Sequence, residues 1–537
     1  MTGNLMPGEP SSHTPQPSLA TALPGRITRS RGRLILSFLL LTVLFALAYA
    51  QSPLYTSNQN QYFLRGAADA GIGDLADDWL VSTKDSTPVF SLLVQVVFRY
   101  LPPAAFYLIY ALLLGVYLVS LIGIILTLQP ERNPRYTLLL ATLLIGLHSA
   151  ALRYLLARIP GEHWEYLLEA GFAGQRLLGA VLQPSSFGVL LILSVLLYLR
   201  RKPFAAVVVA VLAATVHPTY LLSAAALTLA YMVGVWLETR QLKKPVLIGL
   251  AALAAVLPML VYVLSSFSPS SAEMTREAQE LLVNFRIPQH TQITLWFDTT
   301  SVLKLLLIAG ALRLTRRTRL FPLLMVPTIV MVLLTALQVV LDSNQLALLF
   351  PWRLSTWLVP LALAVVTGKA LWRLMQKSGK LQTLPWVPAA CIVLTLMLAA
   401  AGCVKFRIES QRQAEDPANP MMAFVREHSE GGQVYLIPPK LQTFRLETGE
   451  PAMVDFKSIP YSDREVLQWY GRVKLAQHFY RDKIEYISCD LLKEAAEAYD
   501  VTHVVLGENQ LGLSCPALVE LYRDGSYGVY RLQWQSR

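Results

Sequence analysis

Long apolar segments alternate with short polar segments from residue 34 to residue 404 of this chain. Because a membrane-crossing helix needs about 20 apolar residues, or fewer where a bundle is locally thin, this pattern predicts a series of spans. The eleven predicted spans lie near residues 34–50, 104–128, 136–152, 184–199, 203–216, 219–237, 245–265, 301–312, 320–341, 354–368 and 385–403. We therefore expect an α-helical polytopic membrane protein.

The distribution of charge along the chain supports this number of spans. If the N-terminus is cytoplasmic, the segments predicted to lie in the cytoplasm hold 20 Lys and Arg but 3 Asp and Glu, whereas the rest of the chain before Lys405 holds 10 and 13. Cytoplasmic loops are enriched in Lys and Arg, and one missed span would mix the two sets of loops. We therefore expect a multi-pass membrane protein with a cytoplasmic N-terminus and a C-terminus on the opposite side.

The polar segments divide the chain into three parts. Residues 1–33 lack an apolar core and predict a disordered cytoplasmic tail, and residues 34–404 predict the transmembrane domain. On the predicted topology, loops 51–103, 153–183, 266–300 and 342–353, here named the first to fourth long loops, share the periplasmic side. Residues 405–537 contain strand-like runs such as QVYLIPP and THVVL and an amphipathic helical pattern, which predict a periplasmic α/β domain with its own core.

Composition narrows the class of protein. With 54% apolar and 15% charged side chains, the chain is too apolar for an ordinary soluble enzyme. The net charge of +11 comes from residues 1–404, with 30 Lys and Arg against 16 Asp and Glu, because residues 405–537 hold 16 against 19. The membrane topology explains this excess, so we expect a lipid bilayer as partner and no nucleic acid.

Cysteine spacing and the first apolar segment leave two questions open. The four cysteines form no CxxC pair and have no histidine at ligand spacing, which argues against a zinc site. Cys489 and Cys515 either form a disulfide in an oxidising compartment or remain two buried thiols. The first apolar segment ends in Ala48-Tyr49-Ala50, like a signal-peptide cleavage site, but signal segments seldom follow so long a tail, so we favour an uncleaved helix.

Acidic residues are concentrated in the first long loop, which contains TSNQNQYFLRGAADAGIGDLADDWLVSTKDSTP at residues 56–88. A carboxylate at the membrane face can act as a general base or a metal ligand, and Asp78 and Asp85 are the candidates. A solvated loop beside an interfacial tryptophan explains any single aspartate equally well. His163 and Glu165 of the second long loop could assist, although an interfacial helix with a solvated acidic face also explains them.

Phosphate-binding side chains occur in the third and fourth long loops. Arg286 and His290 flank a proline that fixes the backbone, and Arg353 stands at the mouth of a span. All three can bind phosphate oxygens, but an arginine at a helix end can also simply extend to the membrane surface. His217, in a turn between two short spans, is a further site hypothesis at membrane depth. No glycine loop for phosphates, HExxH or GxSxG occurs, so nucleotide hydrolysis, zinc proteolysis and serine hydrolysis have no local support.

The first long loop resembles that of the GT-C superfamily of membrane glycosyltransferases at Tyr62, at Asp78-Trp79-Leu80 and at Pro88. These enzymes transfer a sugar from a polyprenyl-phosphate or polyprenyl-diphosphate donor to a lipid, glycan or protein acceptor. Where the family typically has an acidic pair, this chain has Asn58 and Gln59, and an amide cannot accept a proton or bind a divalent cation as a carboxylate does. The resemblance implies an uncharacterised bacterial branch, located in the inner (plasma) membrane with a periplasmic C-terminal domain, in which Asn58, Gln59 and Tyr62 contact the substrate.

The expected function is glycosyl transfer from a polyprenyl-phosphate-linked sugar at the periplasmic face, in envelope glycan synthesis. Mg²⁺ and Mn²⁺ are candidate cofactors, with Asp78 or Asp85 as the candidate ligand. The alternative is a catalytically inactive relative that binds or assembles components of envelope polysaccharide synthesis, which Asn58 and Gln59 favour and the acids of the same loop oppose. A transporter is less expected, because the predicted spans are nearly free of ionisable residues and show no internal repeat.

Overall fold

The computed structural model describes residues 25–129, 133–161, 164–378, 383–481 and 489–534, with side chains from residue 32 onward. This part of the chain forms a helical bundle followed by a small domain with a four-stranded sheet. Seven helical segments within it are long and apolar enough to cross a membrane, namely Gly32–Tyr49, Ala105–Thr127, Pro218–Thr239, Lys243–Ser266, Phe321–Leu341, Asn344–Lys377 and Val387–Ala414. The chain is therefore a helical membrane protein that lies in a lipid bilayer.

The remaining predicted spans also fall on helices, but these are bent, short or more polar. Pro134–Leu147 and Ala150–Leu156 meet at a bend of 48°, and Pro184–Leu199 and Pro203–Val216 are apolar but short. Helix Thr299–Thr315 contains the buried Lys304. In the described residues, seven segments, or eight if the bent pair is one span, are long and apolar enough to cross. The number of eleven spans therefore stays a prediction.

The first helix, Gly25–Tyr49, begins before the predicted boundary at residue 34. Residues 1–24 of the predicted tail lie outside the described residues. The helix packs closely against Val387–Ala414, because a Cβ atom on Gly402 would lie 1.8 Å from the carbonyl oxygen of Leu47. Such contacts are typical of membrane helices, whose association depends on close packing of small residues.

The long loops contain short helices and turns. These are Gln59–Tyr62, Leu64–Asp69, Leu75–Asp77, Trp79–Ser82, Pro88–Tyr100, Trp164–Tyr166, Phe172–Gly174, Ala272–Leu281, Leu282–Arg286, Pro288–Thr291, Ile293–Trp296, Asn344–Leu348 and Pro351–Leu354. The interfacial helix predicted in the second long loop is absent from the described residues around Trp164, which form a 3-10 turn at Trp164–Tyr166. Glu169 turns inward to pair with Arg153 at 3.4 Å, so it does not share a solvated face with Glu165.

The C-terminal domain contains a sheet in the order β1-β2-β4-β3. Its strands are β1, Tyr435–Leu436; β2, His503–Gly507; β3, Leu518–Arg523; and β4, Tyr527–Leu532, with β1 parallel to β2 and the other pairs antiparallel. Its helices are Asn419–Glu427, Phe444–Thr448, Asp463–Arg481, Cys489–Tyr499 and the 3-10 turn Glu508–Gln510. Both predicted strand runs are confirmed as β1 and β2, and Cys489 and Cys515 form a disulfide.

The four long loops and the C-terminal domain meet at one end of the bundle. The first loop contacts the second through Asn58 and Gln183, whose side chains are 2.6 Å apart. The third loop donates a hydrogen bond from Arg286 to the backbone oxygen of Lys457 in the C-terminal domain at 2.6 Å. Because these contacts join segments that lie far apart in sequence, this end of the molecule is where polar side chains can gather into a site.

Candidate functional site

A cavity lies where the long loops, the ends of bundle helices and the C-terminal domain meet. Its volume of about 260 Å³ is slightly below the range of about 300–1,000 Å³ that is usual for small-molecule pockets. The lining residues are Ser57, Asn58, Tyr62, Gly174, Gln175, Arg176, Gln183, Ser185, His217, Tyr220, His290, Arg353 and Lys457. We call it the basic cavity, because its lining in the described part of the chain contains Arg176, Arg353 and Lys457 but no acidic residue.

Arg353 is held at the cavity by neutral partners. It lies in the turn Pro351–Leu354, and its Nε donates a hydrogen bond to Oε1 of Gln175 at 2.7 Å. Its Nη1 is 3.5 Å from Nε2 of His217, and its guanidinium carbon lies 5.0 Å from the ring centroid of Phe350. None of the ion pairs among the described residues involves Arg353. Its positive charge is therefore available to an anionic ligand.

Three buried donors on side chains that line the cavity lack a hydrogen-bond partner among the described residues. They are Nε2 of Gln175, Nη1 of Arg176 and Nδ1 of His217. His217 carries its proton on Nδ1, because its Nε2 faces an N–H group of Arg353 and must accept. A buried donor without an acceptor costs about 1–3 kcal/mol. Unpaired donors around one cavity therefore indicate a ligand rich in acceptor oxygens.

The C-terminal domain contributes Lys457 to the cavity. The backbone N–H groups of Lys457 and Ser458 each donate to Oδ1 of Asp455 at 2.7 Å, which fixes this loop. Burial, with the neighbouring Arg286 as the next cause, lowers the pKa of Lys457. Arg286 itself is not in the lining: it lies behind the loop, with its guanidinium carbon 5.1 Å from the ring centroid of Phe456.

Asp78 connects the first long loop to the C-terminal domain. Its side chain is fully buried, and Oδ2 accepts hydrogen bonds from Nε of Arg445 at 2.6 Å and from the backbone N–H of Ala452 at 2.9 Å. Arg445 also pairs with Asp455, which holds the loop of Lys457. Because its carboxylate is enclosed by these partners, we replace the prediction of Asp78 as base or metal ligand with a positioning role.

The other predicted catalytic residues lie away from the basic cavity or outside the described residues. Oδ1 of Asp85 accepts a hydrogen bond from the backbone N–H of Thr87 at 2.8 Å, and Asp85 lines a smaller pocket that shares Tyr62 with the basic cavity. Glu165 lies in the turn Trp164–Tyr166 and does not line the cavity. His163 lies outside the described residues. The structure therefore brings none of the described predicted acids into the cavity.

Two of the three residues predicted to contact substrate do line the cavity. Asn58 donates a hydrogen bond from Nδ2 to Gln183, and the hydroxyl of Tyr62 lies 3.4 Å from that of Tyr461. Gln59 is 1% exposed, and its Nε2 donates to the backbone oxygen of Leu182 at 3.2 Å. Gln59 therefore packs the first long loop against the second rather than facing a ligand.

His290 presents a neutral imidazole to the cavity. It lies in the short helix Pro288–Thr291, and its Nδ1 is 2.8 Å from the backbone oxygen of Ala173. Burial, assisted by the positive charges of Arg353, Lys457 and Arg286, lowers the pKa of His290 to about 4, although the hydrogen bond to Ala173 opposes this shift. The ring is therefore neutral at neutral pH, with its proton on Nδ1 and a free acceptor at Nε2.

The cavity does not fit Mg²⁺ or Mn²⁺, which prefer carboxylate and carbonyl oxygens. The described residues contain no group of three or more His, Cys, Asp and Glu that could hold a metal ion. Sequence reasoning missed Gln175, Arg176 and Lys457. For the first two a signal existed, because the dipeptide Gln175-Arg176 is a polar interruption between apolar runs next to a predicted span.

Comparison with known proteins adds one match, in the C-terminal domain. Residues 417–476 match a family model described as "Domain of unknown function (DUF6798)". The matched segment contains Arg445, Asp455 and Lys457. No curated protein matches the chain. The match thus covers the segment that supplies one cation to the basic cavity, and the chemistry of the cavity is argued from its geometry.

Proposed function

We propose that this membrane protein binds the phosphate of a polyprenyl-phosphate-linked sugar in the basic cavity and transfers the sugar to a glycan, lipid or protein acceptor. The observation that carries the proposal is the set of unpaired donors and cationic side chains around a cavity with no acidic residue in its described lining. A phosphate offers several charged acceptor oxygens, and charge-assisted hydrogen bonds to guanidinium groups are the strong ones. Arg353, Arg176 and Lys457 would hold it.

The position of the cavity relative to the apolar helices supports a lipid-linked ligand. Arg353 lies in the turn Pro351–Leu354 that leads into helix Ser355–Lys377, and His217 follows helix Pro203–Val216. A phosphate bound there would lie near the membrane surface while its polyprenyl chain stays in the bilayer. Together with the segregation of Lys and Arg, this supports the proposal that the cavity lies at the periplasmic face of a bacterial inner membrane, where it would serve envelope glycan synthesis.

Glycosyl transfer needs a stabilised leaving group and an acceptor for the proton of the attacking hydroxyl. The cationic side chains would stabilise the phosphate as its charge increases. No carboxylate is in the described lining to take the proton, since Asp78 is enclosed and Asp85 lies in the neighbouring pocket. This favours a second candidate function, in which the protein binds the lipid-linked sugar for assembly without transferring it.

Both candidate functions require that the basic cavity binds a lipid phosphate. Binding of polyprenyl phosphate by the purified protein in nanodiscs tests this requirement. The wild type should bind polyprenyl phosphate but not polyprenol, and Arg353→Gln should weaken binding roughly tenfold to hundredfold, because a charged hydrogen bond contributes about 1.5–3 kcal/mol. Arg276→Gln is the matched control, since Arg276 is exposed in the third long loop. Equal binding of polyprenol, or equal losses in the two variants, would contradict a phosphate site in this cavity.

Turnover separates the two candidates. Wild-type protein supplied with polyprenyl-phosphate-linked sugars and candidate acceptors should release polyprenyl phosphate if it is a transferase. The Asp85→Asn variant shows whether the neighbouring pocket takes part, because only a catalytic role predicts a loss of turnover with unchanged binding. Binding without turnover for any donor would support the assembly function.

A further inference from the structure

We infer that the ligand of the basic cavity carries a hydroxyl group beside its phosphate, and that His290 is the residue that recognises this hydroxyl. The inference rests on the proposed function in one respect, because it takes the anionic group to be a phosphate. It holds whether or not the sugar is transferred. His290 would thereby distinguish a sugar-bearing polyprenyl phosphate from the bare lipid phosphate.

The two imidazoles of the cavity have opposite hydrogen-bonding roles. His217, which is 5% exposed, accepts through Nε2 from Arg353 and leaves Nδ1–H as an unpaired donor. His290 donates through Nδ1 to the backbone oxygen of Ala173 at 2.8 Å and leaves Nε2 as an acceptor. Both rings line the same cavity. A ligand that satisfies both must therefore offer an acceptor and a donor.

A phosphate can accept a hydrogen bond from His217 but cannot donate one to His290. The oxygens of an ionised phosphate accept hydrogen bonds, so they suit Nδ1–H of His217 together with Arg353 and Arg176. A phosphodiester has no O–H group, and a phosphomonoester has lost most of its second proton above a pKa of about 6. The donor for Nε2 of His290 must come from another part of the ligand, and a sugar hydroxyl is such a donor.

The charges around His290 keep it in the acceptor state. Arg353, Lys457 and Arg286 are the charged groups that act on its ring, and all three disfavour a second proton. A neutral ring that already donates through Nδ1 has no alternative to accepting at Nε2. The geometry of the Ala173 contact therefore sets which chemical group of the ligand can face His290.

Two substitutions at His290 separate recognition of the hydroxyl from structural effects. Asn can donate to Ala173 as Nδ1 does but has no atom near the position of Nε2, whereas Gln reaches that position with an acceptor oxygen. Polyprenyl methyl phosphate and a polyprenyl-phosphate-linked hexose are the probes, because both are phosphodiesters with one negative charge and only the hexose offers hydroxyl groups. His428→Asn is the matched control, because Nδ1 of the exposed His428 is 2.9 Å from the backbone oxygen of Phe424.

The wild type should bind the hexose form about three- to tenfold more tightly than the methyl form, as one neutral hydrogen bond allows. His290→Asn should remove this preference while keeping affinity for the methyl form, His290→Gln should restore part of it, and His428→Asn should leave it unchanged. Equal affinities of the wild type for the two lipids, or a preference that survives in His290→Asn, would overturn the inference while phosphate binding stands. Failure of the wild type to bind either lipid would overturn both this inference and the proposed function.

Discussion

The guanidinium group of Arg445 forms a buried link between the C-terminal domain and the first long loop. Arg445 is 2% exposed and pairs with Asp78 and Asp455, which are also almost completely buried. Buried charges are stable only when they are paired and hydrogen-bonded, and here a backbone N–H of Ala452 completes the shell of Asp78. Because Asp455 holds the loop of Lys457, these side chains link the fold to the basic cavity.

Removing the charge of Asp78 tests this role. We expect Asp78→Asn to lower the free energy of unfolding by about 3–5 kcal/mol, because Arg445 would lose one of its two buried partners. Chemical unfolding of the detergent-solubilised protein provides the measurement. Asp85→Asn is the control, with an expected loss of about 1 kcal/mol, since Asp85 makes one local hydrogen bond. Equal losses in the two variants would refute the buried triad.

His290 predicts a pH dependence of stability. Its pKa is lowered to about 4 from an ordinary value of 6.5, so the unfolded chain binds more protons than the folded one between these values. The free energy of unfolding should therefore fall as the pH decreases from about 6.5 to about 4, by roughly 1–3 kcal/mol for this group. Thermal unfolding at pH 7.5 and pH 5 measures it. The loss of stability between pH 7.5 and pH 5 should be smaller in His290→Gln. An equal loss in the variant and the wild type would contradict a lowered pKa of His290.

Among the elements, those with strong local signals were predictable. Helix Asp463–Arg481 has the predicted apolar face, with Trp469, Val473 and Phe479 fully buried in the domain core. The second long loop was not predictable in the same way, because its Glu169 is drawn into an ion pair with Arg153 of a neighbouring helix. Periodicity predicts which side of an element is buried from local sequence alone. A long-range ion pair can bury a side chain that this pattern predicts to be exposed.

The disulfide joins two elements of the C-terminal domain. Cys489 begins helix Cys489–Tyr499, and Cys515 precedes β3. Replacing both with Ser should destabilise the domain by about 2–4 kcal/mol, because the cross-link restricts the unfolded chain. Thermal unfolding and protease resistance measure this, with Cys403→Ser as the control because Cys403 is an exposed free thiol. Unchanged stability on removal of the pair would argue that the domain does not depend on an oxidising compartment.

On the scale of the whole molecule, loops from distant parts of the sequence assemble one polar end on an apolar bundle. The C-terminal domain contributes Lys457, the second long loop Arg176 and the fourth Arg353. The basic cavity lies at the end of the bundle that the predicted periplasmic loops form. Lys and Arg are concentrated in the predicted cytoplasmic loops, such as RLTRRTR at residues 313–319. The orientation of the molecule in the membrane can therefore be tested at both ends.

Single cysteines introduced into a Cys403→Ser background test the orientation. Glu497→Cys places a thiol on the exposed surface of the C-terminal domain, and Arg317→Cys places one in the predicted cytoplasmic loop. A membrane-impermeant thiol reagent should label Glu497→Cys in intact cells with a permeable outer membrane, and Arg317→Cys only after lysis. The reverse pattern would refute a periplasmic C-terminal domain.

The sequence alone determined that the chain is a helical membrane protein with strands in its C-terminal domain. Hydropathy and periodicity carry this information because burial in lipid or in a core acts on each element separately. Residue type and the family resemblance supplied the candidates Asn58, Tyr62, His217, His290 and Arg353, which line the basic cavity. Tertiary structure alone decided that Asp78 pairs with Arg445 and that Gln175 meets Arg353. These partners are far apart in the chain, and the free energy that selects them arises only when desolvated charges and donors are packed side by side.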